Sequence, residues 1–446
     1  MTSVQEILAS TNEIVRPPLD RASYRFLGTE DIPYARYTSE EFFQDEMDQM
    51  WTRTWQWACR EEHIPEVGDY IVYEIGRLSV IVVRSEVDSI RGFYNSCLHR
   101  GTKLCASDSS GGVNHFSCPY HGWQWNVDGS LHNIPSEWDF QNIDRSDFNL
   151  PEVNVDTWGG FVFINFDSEA MPLLEYLDPI PEHFQNWNMQ DRYISIHVQK
   201  ELPCNWKAAA EAFMENYHTK TTHPQLIPTS SGPSTQYDIL GDHTSRFYAL
   251  TGVPDPVIGR ELSEQEKLDH MLVGDGSSVD TKLQVEEGGT ARSTLANMLR
   301  KHFEEALDVA TDGLCDAEII DTMEYTVFPN MFLFPGLSLP MVYRFRPLGM
   351  DTDRSLFDLI FLRPLPRSGE RPDPPEPVRI GIEDSYASVP GFDPTMAHVY
   401  DQDTSNMGFQ QEGFYASKKQ GQTLANYQEV RIRHFHQTLD RYIGTK

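Results

Sequence analysis

The chain has 446 residues, 39% hydrophobic and 23% charged, enough for two or three domains and too apolar for wholesale disorder. Lys and Arg number 36 against 67 Asp and Glu, a formal net charge of −31, which argues against a surface built to track nucleic acid or an anionic membrane. Six cysteines are too few for a disulfide scaffold, and no apolar run approaches the roughly 20 residues of a membrane span.

The opening stretch, residues 1–15, lacks a basic segment followed by an apolar one, so no signal peptide is expected and the protein reads as cytoplasmic. Residues 1–37 are mixed in character. Thr38-Ser39-Glu40-Glu41 reads as a capping box opening a helix, with Phe42, Phe43, Met47, Met50, Trp51 and Trp55 as its apolar stripe. Near residue 66 the period changes. Tyr70–Glu74 and Leu78–Val83 flank Gly76 as a hairpin, and short strands continue to Trp158–Phe166, which together suggest a compact all-β unit. A helix is expected over Trp206–Tyr217, a long polar loop or partly ordered insert over 252–290, and a second helix over Ser293–Thr311. Strands follow at Met323–Phe328, Leu339–Phe345 and Leu356–Leu362. Pro364–Pro377 reads as a surface loop, and the tail from about Pro394 as helical.

Two short segments carry chemistry. Cys97-Leu98-His99-Arg100-Gly101 and Cys118-Pro119-Tyr120-His121-Gly122 each offer one thiolate and one imidazole, followed by a glycine that permits a tight turn. Four ligands at these spacings suit either a Cys2His2 zinc ion or a two-iron, two-sulfur cluster with Cys97 and Cys118 on one iron and His99 and His121 on the other. Zinc fingers favour paired Cys and paired His, whereas here each loop is mixed. His115 and His132 read as surface or hydrogen-bonded histidines, and Cys105 as a buried small residue. Farther on, Glu215, His218 and His223 could supply two imidazoles and a carboxylate, though on spacing alone this pattern is weak. A regular helix would put His223 roughly 140° from His218, so the helix must end or distort between them. Other histidines stay with ordinary roles: His434 and His436 as solvated, and His63, His183, His197, His243, His270, His302 and His398 as isolated. Asp275–Asp280 and Asp351–Asp353 read as acidic loops without calcium-loop spacing.

The run from Cys97 through CPYHGWQWNVDG to Asn133–Glu137, with Trp158–Phe166, resembles the Rieske motif and domain of the ring-hydroxylating non-heme iron oxygenases, large (alpha) subunit. The segment from Asn205 to Pro224 is similar to that family's mononuclear iron segment. The resemblance implies an α+β fold: an all-β Rieske [2Fe-2S] domain (51–170) inserted before a helix-grip-like catalytic domain (171–446) of antiparallel sheet and helices, with a helical segment (1–50) packing on the latter. It implies that His218 and His223 bind iron with a distant carboxylate, selecting Asp403, three residues before Asn406, over Asp401. Either acid could instead cap the last helix. Glu215 would link His218 to the partner subunit's His121. The family usually has Asp there; Glu occurs in relatives acting on quaternary amines, which weakens an inference to a simple arene. The implied activity is cis-dihydroxylation or monooxygenation, including dealkylation, with electrons from NAD(P)H reaching the chain through a reductase, with or without a ferredoxin. Assembly would be a homotrimer, alone or with a small β subunit. Side chains near Phe213, Met214, helix 293–311 and strands 324–345 would line a pocket, or else pack as plain core. A Rieske electron carrier and a zinc-stabilised interaction protein are the competing classes. A donor could dock beside Arg100 and Lys103.

Overall fold

The structure, a computed structural model, describes residues 3–10, 13–274 and 283–444. Its backbone divides into two compact units, residues 45–176 and the rest of the chain. The acidic stretch Asp275–Asp280 lies outside the described residues.

The first unit is built from strands β1 (Gln56–Arg60), β2 (Asp69–Ile75), β3 (Leu78–Glu86), β4 (Ser89–Tyr94), β5 (Ser110–Gly112), β6 (His115–Ser117), β7 (Gln124–Asn126), β8 (Leu131–Asn133), β9 (Glu152–Trp158) and β10 (Phe161–Asn165). Seven form one sheet in the order β1-β10-β9-β4-β3-β2-β5; β6, β7 and β8 form a second. The β2–β3 hairpin pairs Tyr70 with Val83 and Ile75 with Leu78, closed by Gly76 at φ +56°. Alternation then sends Val72, Ile81, Val83 and Phe93 into one core with Trp123, Trp125 and Leu131. Each such fully buried aliphatic or Phe side chain contributes about 2 kcal/mol. Cys97 and Cys118 lie in this same cluster, so the core itself brings the two loops together.

The second unit holds strands β11 (Arg192–Leu202), β12 (Gln236–Ile239), β13 (Thr244–Ala249), β14 (Thr322–Val327), β15 (Met331–Leu333), β16 (Met341–Pro347), β17 (Ser355–Pro364) and β18 (Val378–Ile380). They form one sheet in the order β12-β13-β14-β15-β16-β17-β11-β18, antiparallel except where β18 joins β11. Its longer helices are α1 (Trp206–Glu211), α2 (Glu264–Gly274), α3 (Ala291–Glu305), α4 (Pro394–Ser405), α5 (Met407–Ala416) and α6 (Val430–Ile443). Strands β16 and β17 are buried on both faces. One face carries Tyr343, Phe345 and Phe357, packed against Phe213 just beyond α1. The other carries Arg344, Arg346 and His197 around the Asp358 carboxylate, at 3.0, 3.3 and 3.0 Å. Burial alone would raise the pKa of Asp358, but the Arg344 and Arg346 guanidinium groups, followed by the hydrogen bond from His197, hold it well below the usual carboxylate range.

Several expectations need correction. The helix Glu40–Asp45 is capped by Ser39, whose hydroxyl accepts from Phe42 N, while the Thr38 hydroxyl donates to Tyr34 O. Beyond Asp45 this helix widens into a π-helical turn, Glu46–Met50. Within 252–290 stands the three-turn helix α2, opened by a capping box in which Ser263 and Glu266 exchange side-chain and backbone hydrogen bonds. Helix α3 stops at Glu305, not 311, because Asp308 turns left-handed (φ +53°) and its carboxylate accepts from Ser368 N and Oγ. His434 and His436 are buried rather than solvated: His436 Nε2 lies 2.8 Å from both Glu211 Oε1 and Tyr37 Oη. Phe213, Phe328, Phe332 and Phe334 are all buried.

Candidate metal centres

The two Cys/His loops share one backbone design. In each, the cysteine carbonyl accepts from the glycine four residues on (Gly101 to Cys97, 2.8 Å; Gly122 to Cys118, 3.0 Å). The cysteine N–H donates to the carbonyl five residues on, Thr102 or Trp123, at 2.8 Å. Closing this turn puts Gly101 at φ +80° and Gly122 at φ +74°. A Cβ at Gly101 would meet nothing within 4 Å, so conformation and not space requires glycine there.

The turns bury both thiols and bring the Cys97 and Cys118 sulfurs into hydrogen-bonding contact. The His99 and His121 rings stand 4.7 Å apart between centroids, and His99 stacks flat on Trp123 at 5.1 Å. His121 is exposed, so this edge of the site faces outward. Burial pushes the Cys97 thiol up. At Cys118 burial is outweighed by the Tyr120 and His121 N–H groups, which hold its pKa below the ordinary thiol value. Burial, then the neighbouring His121 and Arg100, lowers the pKa of His99, so its imidazole is neutral and able to ligate. Its Nδ1 is buried without a hydrogen-bond partner among the described residues.

Donor spread separates the two sequence readings. Tetrahedral zinc, with bonds of about 2.0–2.3 Å, holds its donors within about 4 Å of one another. Among the described residues only His218, His223 and Asp403 bring three donor atoms within 4.8 Å of each other. No three of the four Cys/His donors are drawn together that tightly. Two thiols side by side and two imidazoles side by side suit a cluster of two irons. All six cysteines are free. Cys105 is half-buried, with its thiol pushed up to about 11 by burial, as for a thiol that stays protonated. His115 and His132 stack on each other, centroids 3.9 Å apart.

The second centre forms where helix fails. Helix α1 ends at Glu211, so Glu215 and His218 do not share a regular helix as the sequence suggested. Arg431 Nη1 takes the Met214 carbonyl at 2.9 Å, and Tyr237 Oη accepts from Asn216 N at 3.1 Å. The Glu215 carboxylate then accepts from the backbone N–H of Tyr217 and of His218, just ahead of a short helix, Thr219–Thr222. His223 follows at once, outside any helix, which solves the 140° problem.

The carboxylate comes from α4. That helix is capped by Asp393, so Asp401 and Asp403 lie in its last turns and cap nothing at its start. Asp401 faces away, accepting from Ser385 Oγ (2.5 Å) and Tyr386 N (3.0 Å). Asp403 Oδ1 lies 2.6 Å from His223 Nε2 and 3.5 Å from His218 Nε2. Its side chain is only 8% exposed. A carboxylate near a helix C-terminus is disfavoured by the dipole unless a cation sits beside it.

Both imidazoles are oriented from behind. His218 Nδ1 lies 2.7 Å from Glu215 Oε1, and His223 Nδ1 lies 2.9 Å from Gln402 Oε1. Gln402 went unnoticed in the sequence, although it directly precedes Asp403. Both acceptors require an N–H at Nδ1. In the neutral tautomer each Nε2 therefore aims a lone pair at Asp403, an arrangement that demands a cation. A proton can serve: burial opposes it, but Asp403 and Glu215 together raise the pKa of His218 to about 10. A divalent metal can serve as well, and two His plus one carboxylate with open positions is the donor set of non-heme Fe(II) sites.

Proton and metal thus compete, with a defined sign. A raised histidine pKa stabilises the metal-free fold fully below its unfolded value near 6.5, and the benefit is lost as pH rises to about 10. Apparent Fe(II) affinity should rise up to about tenfold per pH unit between pH 6.5 and 8.5, since binding expels the His218 proton. Calorimetric titration across that range checks this; a flat profile contradicts it.

Residues 184–445 match the family model of the ring-hydroxylating alpha subunit catalytic domain, and residues 54–144 match the Rieske [2Fe-2S] domain. The chain belongs to the ring-hydroxylating alpha subunit family, with the Rieske domain preceding its catalytic domain. Benzene 1,2-dioxygenase subunit alpha of Pseudomonas putida is 36% identical over 192 residues, 42% of either chain. The glycine betaine monooxygenase oxygenase subunit of Pseudomonas aeruginosa is 28% identical over 198 residues, 44% of this chain and 46% of the relative. The chain thus aligns with less than half the length of these relatives. A crystal structure of naphthalene 1,2-dioxygenase bound to phenanthrene shares the fold, with a TM-score of 0.65 over 94% of each chain at 18% identity. Among the described residues no helix is long and apolar enough to cross a membrane.

Proposed function

We propose that the chain is the terminal component of a Rieske oxygenase, acting on O2 and a hydrophobic, aromatic or cyclic organic substrate. The observation that carries this reading is one polypeptide with both donor sets: the Cys/His loops, and the imidazole pair facing Asp403. Cys97, Cys118, His99 and His121 would hold the [2Fe-2S] cluster; His218, His223 and Asp403 would hold the mononuclear iron. Bound there, the two groups supply single-electron storage and the redox chemistry that dioxygen activation requires. The protein's part is positional. Glu215 orients His218, and it would reach the partner subunit's His121 in a trimer, with or without a small subunit. Electrons would come from NAD(P)H through a reductase, with or without a ferredoxin. The other four cysteines, none in a disulfide, fit a cytoplasmic setting.

The docking patch for that donor narrows. Lys103 is engaged by Glu74 at 2.5 Å, whereas the Arg100 guanidinium lies over the exposed Tyr120 ring at 5.4 Å, beside His121. Arg100 and Tyr120 therefore suit an acidic donor better than Lys103. A second substrate reading, an amine or quaternary ammonium compound, is favoured by the likeness to the glycine betaine monooxygenase oxygenase subunit. The test is oxygen uptake with a reductase, across arenes, steroids and quaternary amines. Substrate-dependent uptake with an oxygenated product is expected. Reduction of the protein with no oxygen uptake on any of them would instead identify an electron carrier.

A further inference from the structure

We infer that Gln402 is the positioning residue for His223, and that Gln225 fixes the Gln402 amide in the one orientation that works. The inference rests on the reading that His218, His223 and Asp403 hold a metal. Gln402 Oε1 accepts from His223 Nδ1 at 2.9 Å and from Gln225 Nε2 at 2.7 Å. One oxygen thus receives two donors. Turned over, the amide would present its own NH2 to His223 Nδ1–H and to the Gln225 NH2, donor against donor.

The two histidines are treated differently. Glu215 offers His218 a carboxylate, whose two oxygens are equivalent, so either rotation leaves an acceptor. Gln402 offers His223 a neutral amide with one oxygen, and its side chain is only partly buried. Left alone it would sample both faces. Gln225 lies two residues beyond His223, on the turn Pro224–Leu226, and Gln402 lies one residue before Asp403 on α4. The bond between them joins the two segments that supply His223 and Asp403, beside the ligands themselves. The His223 backbone is already pinned through its N–H to Thr219 O (2.8 Å) and its carbonyl to Leu226 N (2.9 Å). What remains free is the ring, and Gln402 sets it. An outer partner of this kind commonly governs metal affinity by 10–100-fold.

Orientation makes a prediction that simple packing does not. The protein is stripped of its mononuclear metal by a chelator, then titrated with Co(II), following both affinity and the visible d–d spectrum. Gln402→Leu should weaken binding about 10–100-fold, and Gln402→Glu should restore it to within about threefold, since a carboxylate accepts in either rotation. Gln225→Ala should weaken binding about fivefold, one neutral hydrogen bond's worth, in the native background. In the Gln402→Glu background it should have no effect. Equal losses from Gln225→Ala in both backgrounds would overturn the inference, as would native affinity in a folded Gln402→Leu protein. If the unsubstituted protein takes up no Co(II), the metal reading itself fails first and the inference falls with it. The Gln225 comparison keeps the test decisive if Gln402→Leu does not fold.

Discussion

Asp403→Ala is expected to lose the mononuclear iron, and with it at least about 1,000-fold in turnover, while the visible spectrum of the cluster is unchanged. Among the described residues Asp403 is the one carboxylate whose oxygen lies within 3.5 Å of both Nε2 atoms, and its side chain is nearly buried. Without it, two neutral imidazoles remain with lone pairs converging on nothing anionic. A divalent cation then loses its one charged protein ligand in a partly desolvated site, where that charge counts most. Asp401→Ala is the control. Asp401 holds Ser385 Oγ and Tyr386 N, so its loss should cost about 1–2 kcal/mol of stability and leave the iron in place. Iron content and thermal unfolding of the two variants separate them. A full iron complement in Asp403→Ala would mean that another carboxylate ligates.

Glu215→Gln is expected to keep both metals and still lose about 100-fold in turnover. The substitution is nearly isosteric, yet the site asks for two acceptor oxygens. One takes His218 Nδ1–H; the other takes the N–H groups of Tyr217 and His218. An amide has one oxygen. Whichever way it turns, either the imidazole loses its acceptor or two backbone donors meet an NH2 group. The ligand set proper is untouched, so metal content should survive. The orientation of the His218 ring, and any coupling through it to a partner subunit, should not. Steady-state turnover, with metal analysis and the rate of cluster reduction by the donor, resolves this. Turnover near the native rate would remove Glu215 from the electron path.

The candidate ligands were more legible in the sequence than the frame around them. Cys97, His99, Cys118 and His121 stand out because tight turns and metal ligation need particular residue types at fixed offsets, which survive in one dimension. The break before His223 was legible too, since helical geometry cannot place it with His218. Where the break falls was not, because it depends on Arg431 and Tyr237, remote in sequence, capturing the backbone at Met214 and Asn216. Gln402 was hidden for a similar reason: its role exists only once α4 meets the segment after α1. Some misses were readable. Ser263-Glu264-Gln265-Glu266 is a capping box, yet the acidic composition around it suggested a loop. Strand β11, the longest in the sheet, carries Ile194, Ile196 and Val198 at alternate positions, a period that is legible in the sequence. The buried His436 could not be foreseen, because its partners, Tyr37 and Glu211, come from the other end of the chain and from α1.

Two separate iron centres are expected on this one chain. Quantifying iron and acid-labile sulfide in protein purified without added metal tests it most directly. About three irons and two sulfides per chain are expected, in a red-brown protein, with a chelator able to remove about one iron while the colour persists. A colourless protein holding zinc, or two irons with no removable third, would contradict it.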